Sequence, residues 1–199
     1  VVTADATIQQ IIGMMVGRTI FEEAPELPEE PSREVVLEVR NLNRGRVIRD
    51  VSFKLHRGEI LGVAGLVGAG RTEVMRAVFG ADAHDSGEIL IHGQPVAINS
   101  PNDAVRHGIA YLSEDRKRYG LALPMDVEAN TVMASLGKFT GPLGTIRFGK
   151  TRAAALEHVQ SLAIKTPSVG QRVKNLSGGN QQKVVIAKWL TADTEILIF

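Results

Sequence analysis

The residues Gly65-Leu66-Val67-Gly68-Ala69-Gly70-Arg71-Thr72 keep the spacing G-x-x-x-x-G-[K/R]-[S/T], and no other stretch restricts the fold as strongly. Gly65, Gly68, Ala69 and Gly70 are small enough for successive backbone N–H groups to ring a phosphate, and the positive end of a following helix would face the same anion. Such a loop works only where a strand enters it and a helix leaves it, so an α/β fold is expected. Apolar patterning agrees, with candidate strands at 35–40, 51–55, 59–64, 88–92, 109–112 and 196–199. Helices are expected at 72–79, 101–107, 127–136, 152–164 and 180–191, with 137–149 as loop; Val185 and Trp189 form one stripe of the last helix, and Lys183 and Lys188 are expected at its solvent side.

Two residues of the loop depart from what phosphate chemistry favours. Arg71 stands where lysine would serve as a compact charge between β- and γ-phosphates, and its guanidinium is wide, planar and fork-shaped. Glu73 has no proton to donate toward the α-phosphate, and at roughly 6 Å from one phosphate charge it repels by about 3 kcal/mol at an effective dielectric near 20. Alternatively, Glu73 is a first-turn acid stabilising its own helix dipole. Thr72 keeps the hydroxyl suited to Mg²⁺. Nucleotide is expected to dock weakly here and to be hydrolysed poorly.

A second phosphate-compatible element is Leu176-Ser177-Gly178-Gly179-Asn180-Gln181-Gln182-Lys183, which opens an amphipathic helix. Free N–H groups at its start and two glycines favour close approach by an anion, while Asn180 and Gln181 add neutral hydrogen-bonding groups. In isolation the octet also reads as a Ser N-cap with a glycine-rich lead-in.

The order phosphate loop, LSGG helix and apolar strand resembles the ATP-binding cassette family of transport ATPases. GLVGAGRTE, Tyr111-Leu112-Ser113-Glu114-Asp115-Arg116-Lys117 and LSGGNQQKVVIAKWL together resemble the second cassette of tandem ATPases that drive bacterial import of ribose, galactose, xylose and similar solutes. The resemblance implies a P-loop NTPase cassette with a small antiparallel β part and a helical subdomain at about 115–185, incomplete at its C-terminal side. It implies that residues 1–20 are the last helix of a preceding cassette, 21–34 an acidic proline-rich linker, and 35–199 the second cassette, ending before the Asp and Glu of the Walker B strand.

ATP and Mg²⁺ are the implied cofactors, with Thr72 on the metal. Ser177, Gly178 and Gly179 would embrace the γ-phosphate of ATP held by another cassette, stabilising charge in trans. Glu114 takes the place of a glutamine that senses Mg²⁺; a carboxylate suits the metal, although a charged loop is more commonly a solvated surface. The family's adenine-stacking aromatic has no counterpart among residues 43–47. Arg44 or Arg46 would be the planar substitutes, unless they belong to a solvated basic turn. Implied partners are another cassette, transmembrane permease subunits and, indirectly, a periplasmic solute-binding protein, at the cytoplasmic face of the bacterial inner membrane.

Bulk composition agrees with this. The 199 residues are 44% apolar and 23% charged with a formal net charge of +1, which gives no global field for nucleic acid or anionic lipid, so partner choice is expected to come from local surfaces. The absence of cysteine excludes a disulfide framework and thiolate metal sites. No apolar run is long enough to span a bilayer, so membrane contact is expected through a partner. None of the five histidines has motif spacing. With apolar sheet faces left uncovered, the fragment is expected to be poorly soluble and inactive alone. The rival classes are a non-catalytic nucleotide-binding module and a soluble cassette ATPase of DNA repair or translation; the latter would need basic insertions.

Overall fold

Alternating apolar residues at the start of the α/β region build one side of an antiparallel sheet. The computed structural model describes Ile11, Met14 and residues 32–199, so the expected first helix lies outside the described residues apart from Ile11 and Met14, which are helical, and the acidic linker lies outside them apart from 32–34. Ser32–Phe199 forms a compact unit by itself. β1 (Val35–Arg44) pairs antiparallel with β2 (Ile48–His56) and, on its other edge, with β3 (Ser86–Ile91), which pairs with β4 (Gln94–Val96). Val39 sits opposite Phe53 and Ile89, so the inward set of three strands meets in one layer. Glu38 takes the outward register and pairs with Arg40 at 2.9 Å and Lys54 at 3.3 Å.

β1 runs past its expected end at Arg40 because Asn41 adopts a positive φ of 47° and its side chain donates to Asp50 Oδ1 at 2.6 Å, carrying the strand through an irregularity to Arg44. β5 (Ile109–Tyr111) and β6 (Ile196–Ile198) form a second, parallel pair. The expected strand at 59–64 is a correction: this segment enters the phosphate loop without joining a ladder, and Ile60 is 92% exposed. Its apolar pattern is that of a strand, but a strand is realised only against a neighbour, and among the described residues β5 and β6 pair solely with each other. A cavity of about 720 Å³ lies alongside, lined by residues including Leu37, Phe53, Ile60, Val63, Ile196 and Ile198.

Helices cover these sheets. α1 (Arg71–Val78) leaves the phosphate loop and α2 (Pro101–Arg106) precedes β5. α3 (Val127–Val132) is capped by Asp126, whose Oδ1 accepts from the Ala129 N–H at 2.7 Å, and continues as a 3₁₀ segment (Met133–Phe139). The helix expected at 127–136 thus tightens midway. α4 (Phe148–Ser161) starts and stops earlier than expected, its end fixed by the positive φ of 48° at Ala163. α5 (Gly178–Thr191) buries Val184, Val185, Ala187 and Trp189. Phe79 ties the layers together, with ring centroids 5.5 Å from Tyr111 and 6.0 Å from Trp189.

Candidate functional site

The phosphate loop is open to solvent from Gly65 to Ala69, and Gly70 is buried where it hands the chain to α1. Gly68 and Gly70 hold φ of 83° and 84°, which only glycine adopts cheaply. A Cβ on Gly70 would lie 3.1 Å from the Val47 carbonyl oxygen, so the turn between β1 and β2 sits against the loop. Arg71 is exposed, and its aliphatic stem crosses Gly65, where an added Cβ would meet Arg71 Cδ at 3.4 Å and Ala69 Cβ at 3.0 Å. Glu73 is half-buried in the first turn of α1.

The fold brings Glu114, just beyond β5, to this loop. The Thr72 hydroxyl donates to Glu114 Oε1 at 3.3 Å. Two hard oxygen donors therefore converge beside the head of α1, a donor set that fits Mg²⁺ once phosphate oxygens complete the shell. Among the described residues no group of three or more His, Asp or Glu side chains converges on one point, so the protein supplies only part of such a shell.

At the start of α5, Ser177, Gly178 and Gly179 are exposed. Ser177 occupies the cap position without capping: its hydroxyl accepts from Asn180 Nδ2 at 3.0 Å and no backbone N–H bonds to it. Among the described residues the N–H groups of Gly178, Gly179 and Asn180 have no acceptor, and the positive end of a 14-residue helix faces outward there. Asn180 is partly committed, since its Oδ1 accepts from the Lys165 N–H at 2.9 Å. Gln181 turns inward instead: it is buried, and Nε2 donates to the carbonyls of Val173 at 3.1 Å and Leu176 at 3.2 Å.

Of the two arginines near the expected base site, Arg44 is engaged elsewhere. It donates to Asp82 Oδ2 at 2.7 Å, and Arg76 grips the same carboxylate through two bonds of 2.8 and 2.7 Å. Hydrogen bonds from Arg76 and then Arg44 hold the Asp82 carboxyl down at about 2. Arg46 stays exposed beside Val47 and the loop.

The sequence profile of the family described as ABC transporter matches residues 48–199. The chain belongs to the ABC transporter family. A relative from Burkholderia cenocepacia named ribose/galactose/methyl galactoside import ATP-binding protein 3 is 56% identical over 98% of this chain and 38% of its own length. An import ATP-binding protein of the same designation from Albidiferax ferrireducens is 53% identical over 100% of this chain and 39% of its own. The chain thus spans about two-fifths of the curated relatives it matches. Its fold matches an ATP-binding cassette of an ABC transporter in the ADP conformation, with a TM-score of 0.65 at 16% identity over 82% of this chain and 67% of that one. It also matches a dimeric post-hydrolysis cassette bound to ADP and Pi, with a TM-score of 0.66 at 19% identity over 81% and 72%.

Besides the inward-turned Gln181, a second residue of α5 lies where sequence reasoning did not put it. Lys188, expected at the solvent side of α5, is 5% exposed; its Nζ donates to the Gly120 carbonyl at 2.8 Å and lies 4.4 Å from the Trp189 ring centroid. Burial pushes its ammonium down to about 8. Helical spacing alone assigned it to the surface, whereas the segment Arg116–Gly120 meets it from outside the helix through the Gly120 carbonyl. The same turn lays the Arg116 guanidinium against Gly178, where an added Cβ would stand 2.7 Å from Nη2.

Proposed function

We propose that this chain is part of the ATP-hydrolysing subunit of a bacterial importer for ribose, galactose or a related small solute. In this reading its own phosphate loop handles nucleotide poorly, and the head of α5 serves ATP held by another cassette. The observation that carries it is the contrast between the two anion sites. Gly178, Gly179 and Asn180 present N–H groups with no acceptor among the described residues at the head of a long helix, whereas the loop carries Arg71 at the lysine position and turns Thr72 toward a carboxylate. The import function is supported by relatives that are 50–57% identical and are named for ribose, galactose and methyl galactoside import.

The chemistry follows from charge placement. The exposed N–H groups of Gly178 and Gly179 and the dipole of α5 stabilise negative charge that develops on a terminal phosphate presented by the partner cassette. Ser177 Oγ, already oriented by Asn180, adds a neutral hydrogen bond. A bound Mg²⁺ would supply neutralisation of phosphate charge, with Thr72 and Glu114 as its protein ligands in this half. Hydrolysis and reopening would then move permease subunits between two states, with the solute-binding protein acting from the far side. The partners are therefore another cassette and a membrane permease at the cytoplasmic face of the inner membrane, and a net charge of +1 gives no support to nucleic acid as a ligand.

Single-turnover ATP hydrolysis by the full-length protein tests this. Gly179→Asp, whose Cβ would meet nothing within 4 Å and whose carboxylate would stand where phosphate is to bind, is expected to lower the rate about 100-fold or more, while Arg71→Ala changes it less than about threefold. The reverse order would overturn the signature-donor reading. If neither change affects hydrolysis while both weaken nucleotide-dependent association, the non-catalytic alternative, favoured by Arg71 and Glu73, is correct.

A further inference from the structure

Beyond the 3₁₀ segment Met133–Phe139 the chain makes a tight turn-back that has no part in either phosphate site. The Gly141 N–H donates to the Thr145 carbonyl at 2.7 Å, the Arg147 N–H donates to the Phe139 carbonyl at 2.9 Å, and Thr140 bridges to Ile146. Gly141 sits close to the returning chain, since a Cβ would stand 3.0 Å from Thr145 Oγ1 and 3.3 Å from Arg147 Nε. At the tip Leu143 is fully exposed, Phe148 is 71% exposed and Ile146 41%. Leu143 and Phe148 thus protrude from the turn and from the start of α4, with Ile146 partly exposed between them.

The charges around them are of one sign. From Ala129 to Leu156 the sequence holds Lys138, Arg147, Lys150 and Arg152 and no Asp or Glu, in a chain whose net charge is only +1. Lys138 is occupied by Asp193 at 2.6 Å, but Arg147, Lys150 and Arg152 are exposed and form no ion pair among the described residues. The acid that α3 brings closest, Glu128, is engaged by the Thr151 hydroxyl at 2.6 Å.

We propose that the turn 139–148 and the first turn of α4 rest on an anionic lipid surface, with Leu143, Ile146 and Phe148 entering the headgroup layer and Arg147, Lys150 and Arg152 facing lipid phosphates. A patch of three side chains is far smaller than the roughly 1,600 Å² that a specific protein interface buries. A bilayer requires no complementary shape, and it rewards apolar insertion and basic residues together. The contact is weak and reversible, and it adds a direct lipid attachment to whatever a permease provides. It does not depend on the importer assignment, because the chain alone suffices to read it.

Cosedimentation of the full-length protein with phosphatidylcholine vesicles containing one-third phosphatidylglycerol, compared with pure phosphatidylcholine and with a vesicle-free control, is the test. Partition is expected to be about tenfold or more in favour of the anionic vesicles and to fade at high salt. Phe148→Asp and the pair Arg147→Glu with Lys150→Glu should each abolish most of it. Leu143→Gly is the variant that cannot fail through misfolding: the side chain touches nothing and the backbone holds a positive φ of 60°, which glycine prefers. It should also lower partition severalfold. Equal binding to neutral vesicles, full binding by Leu143→Gly, or binding to a soluble acidic polypeptide with none to vesicles would overturn the proposal.

Discussion

Gly70 carries two constraints at one atom, a φ of 84° and the Val47 carbonyl 3.1 Å from any added Cβ. Gly70→Ala is expected to lower stability by about 1–2 kcal/mol, read as a fall in denaturation midpoint, and to weaken nucleotide binding because the loop can no longer close onto α1. Lys188 makes a pH prediction. Its folded pKa of about 8 lies below the unfolded value of 10.5, so between these the unfolded chain binds more protons and stability rises with pH. Below about 8 both states are charged and the burial cost is present in full. Relative to Lys188→Met, the native chain should gain stability on the order of 3 kcal/mol from pH 8 to 10.5 in urea titrations; a flat difference would show that the ammonium is solvated. The glycines and Thr72 were legible as residues because backbone geometry and hydroxyl chemistry demand those types. Lys188 was not, because its burial is imposed by a turn some 70 residues away in sequence.

α1 is anchored at its far end by Asp82, which receives Arg76 from the helix and Arg44 from β1. The carboxyl titrates at about 2 when folded against an ordinary 3.8. This stabilisation is therefore complete above about 4 and is lost as pH falls toward 2. Asp82→Asn should cost on the order of 2 kcal/mol at neutral pH and remove that part of the acid sensitivity, as measured by thermal unfolding at pH 7 and pH 3. Strand and helix types were largely readable from apolar period. The exception, 59–64, has a strand's composition and no strand beside it, so its state depends on a partner that local pattern does not contain. The helix breaks at Met133 and Ala163 escaped prediction for a related reason, since 3₁₀ tightening and a positive φ follow from packing rather than from residue class.

Across the described unit, the end of α1, the parallel pair and α5 meet at Phe79, Tyr111 and Trp189, inside one core cluster that also holds residues of the antiparallel sheet. Phe79→Ala should cost about 3–5 kcal/mol and lower the unfolding midpoint in every probe together, because the cavity would open where all layers share contacts. The class of fold, the glycine turn of the loop and the exposed head of α5 followed from spacing in the chain, since such turns and helix heads use local backbone geometry. The meeting of Glu114 with Thr72 was implied only through the family resemblance, which set both toward one Mg²⁺, and the approach of Arg116 to Gly178 is tertiary and had no signal in the linear order. Trp189 is the chain's single tryptophan, and it sits 4.4 Å from an ammonium on the helix that begins with Gly178. Its fluorescence is therefore a label-free reporter of that helix: emission intensity should change as Lys188 loses its proton near pH 8, and any ligand that shifts the head of α5 can be followed through the colour and lifetime of one indole.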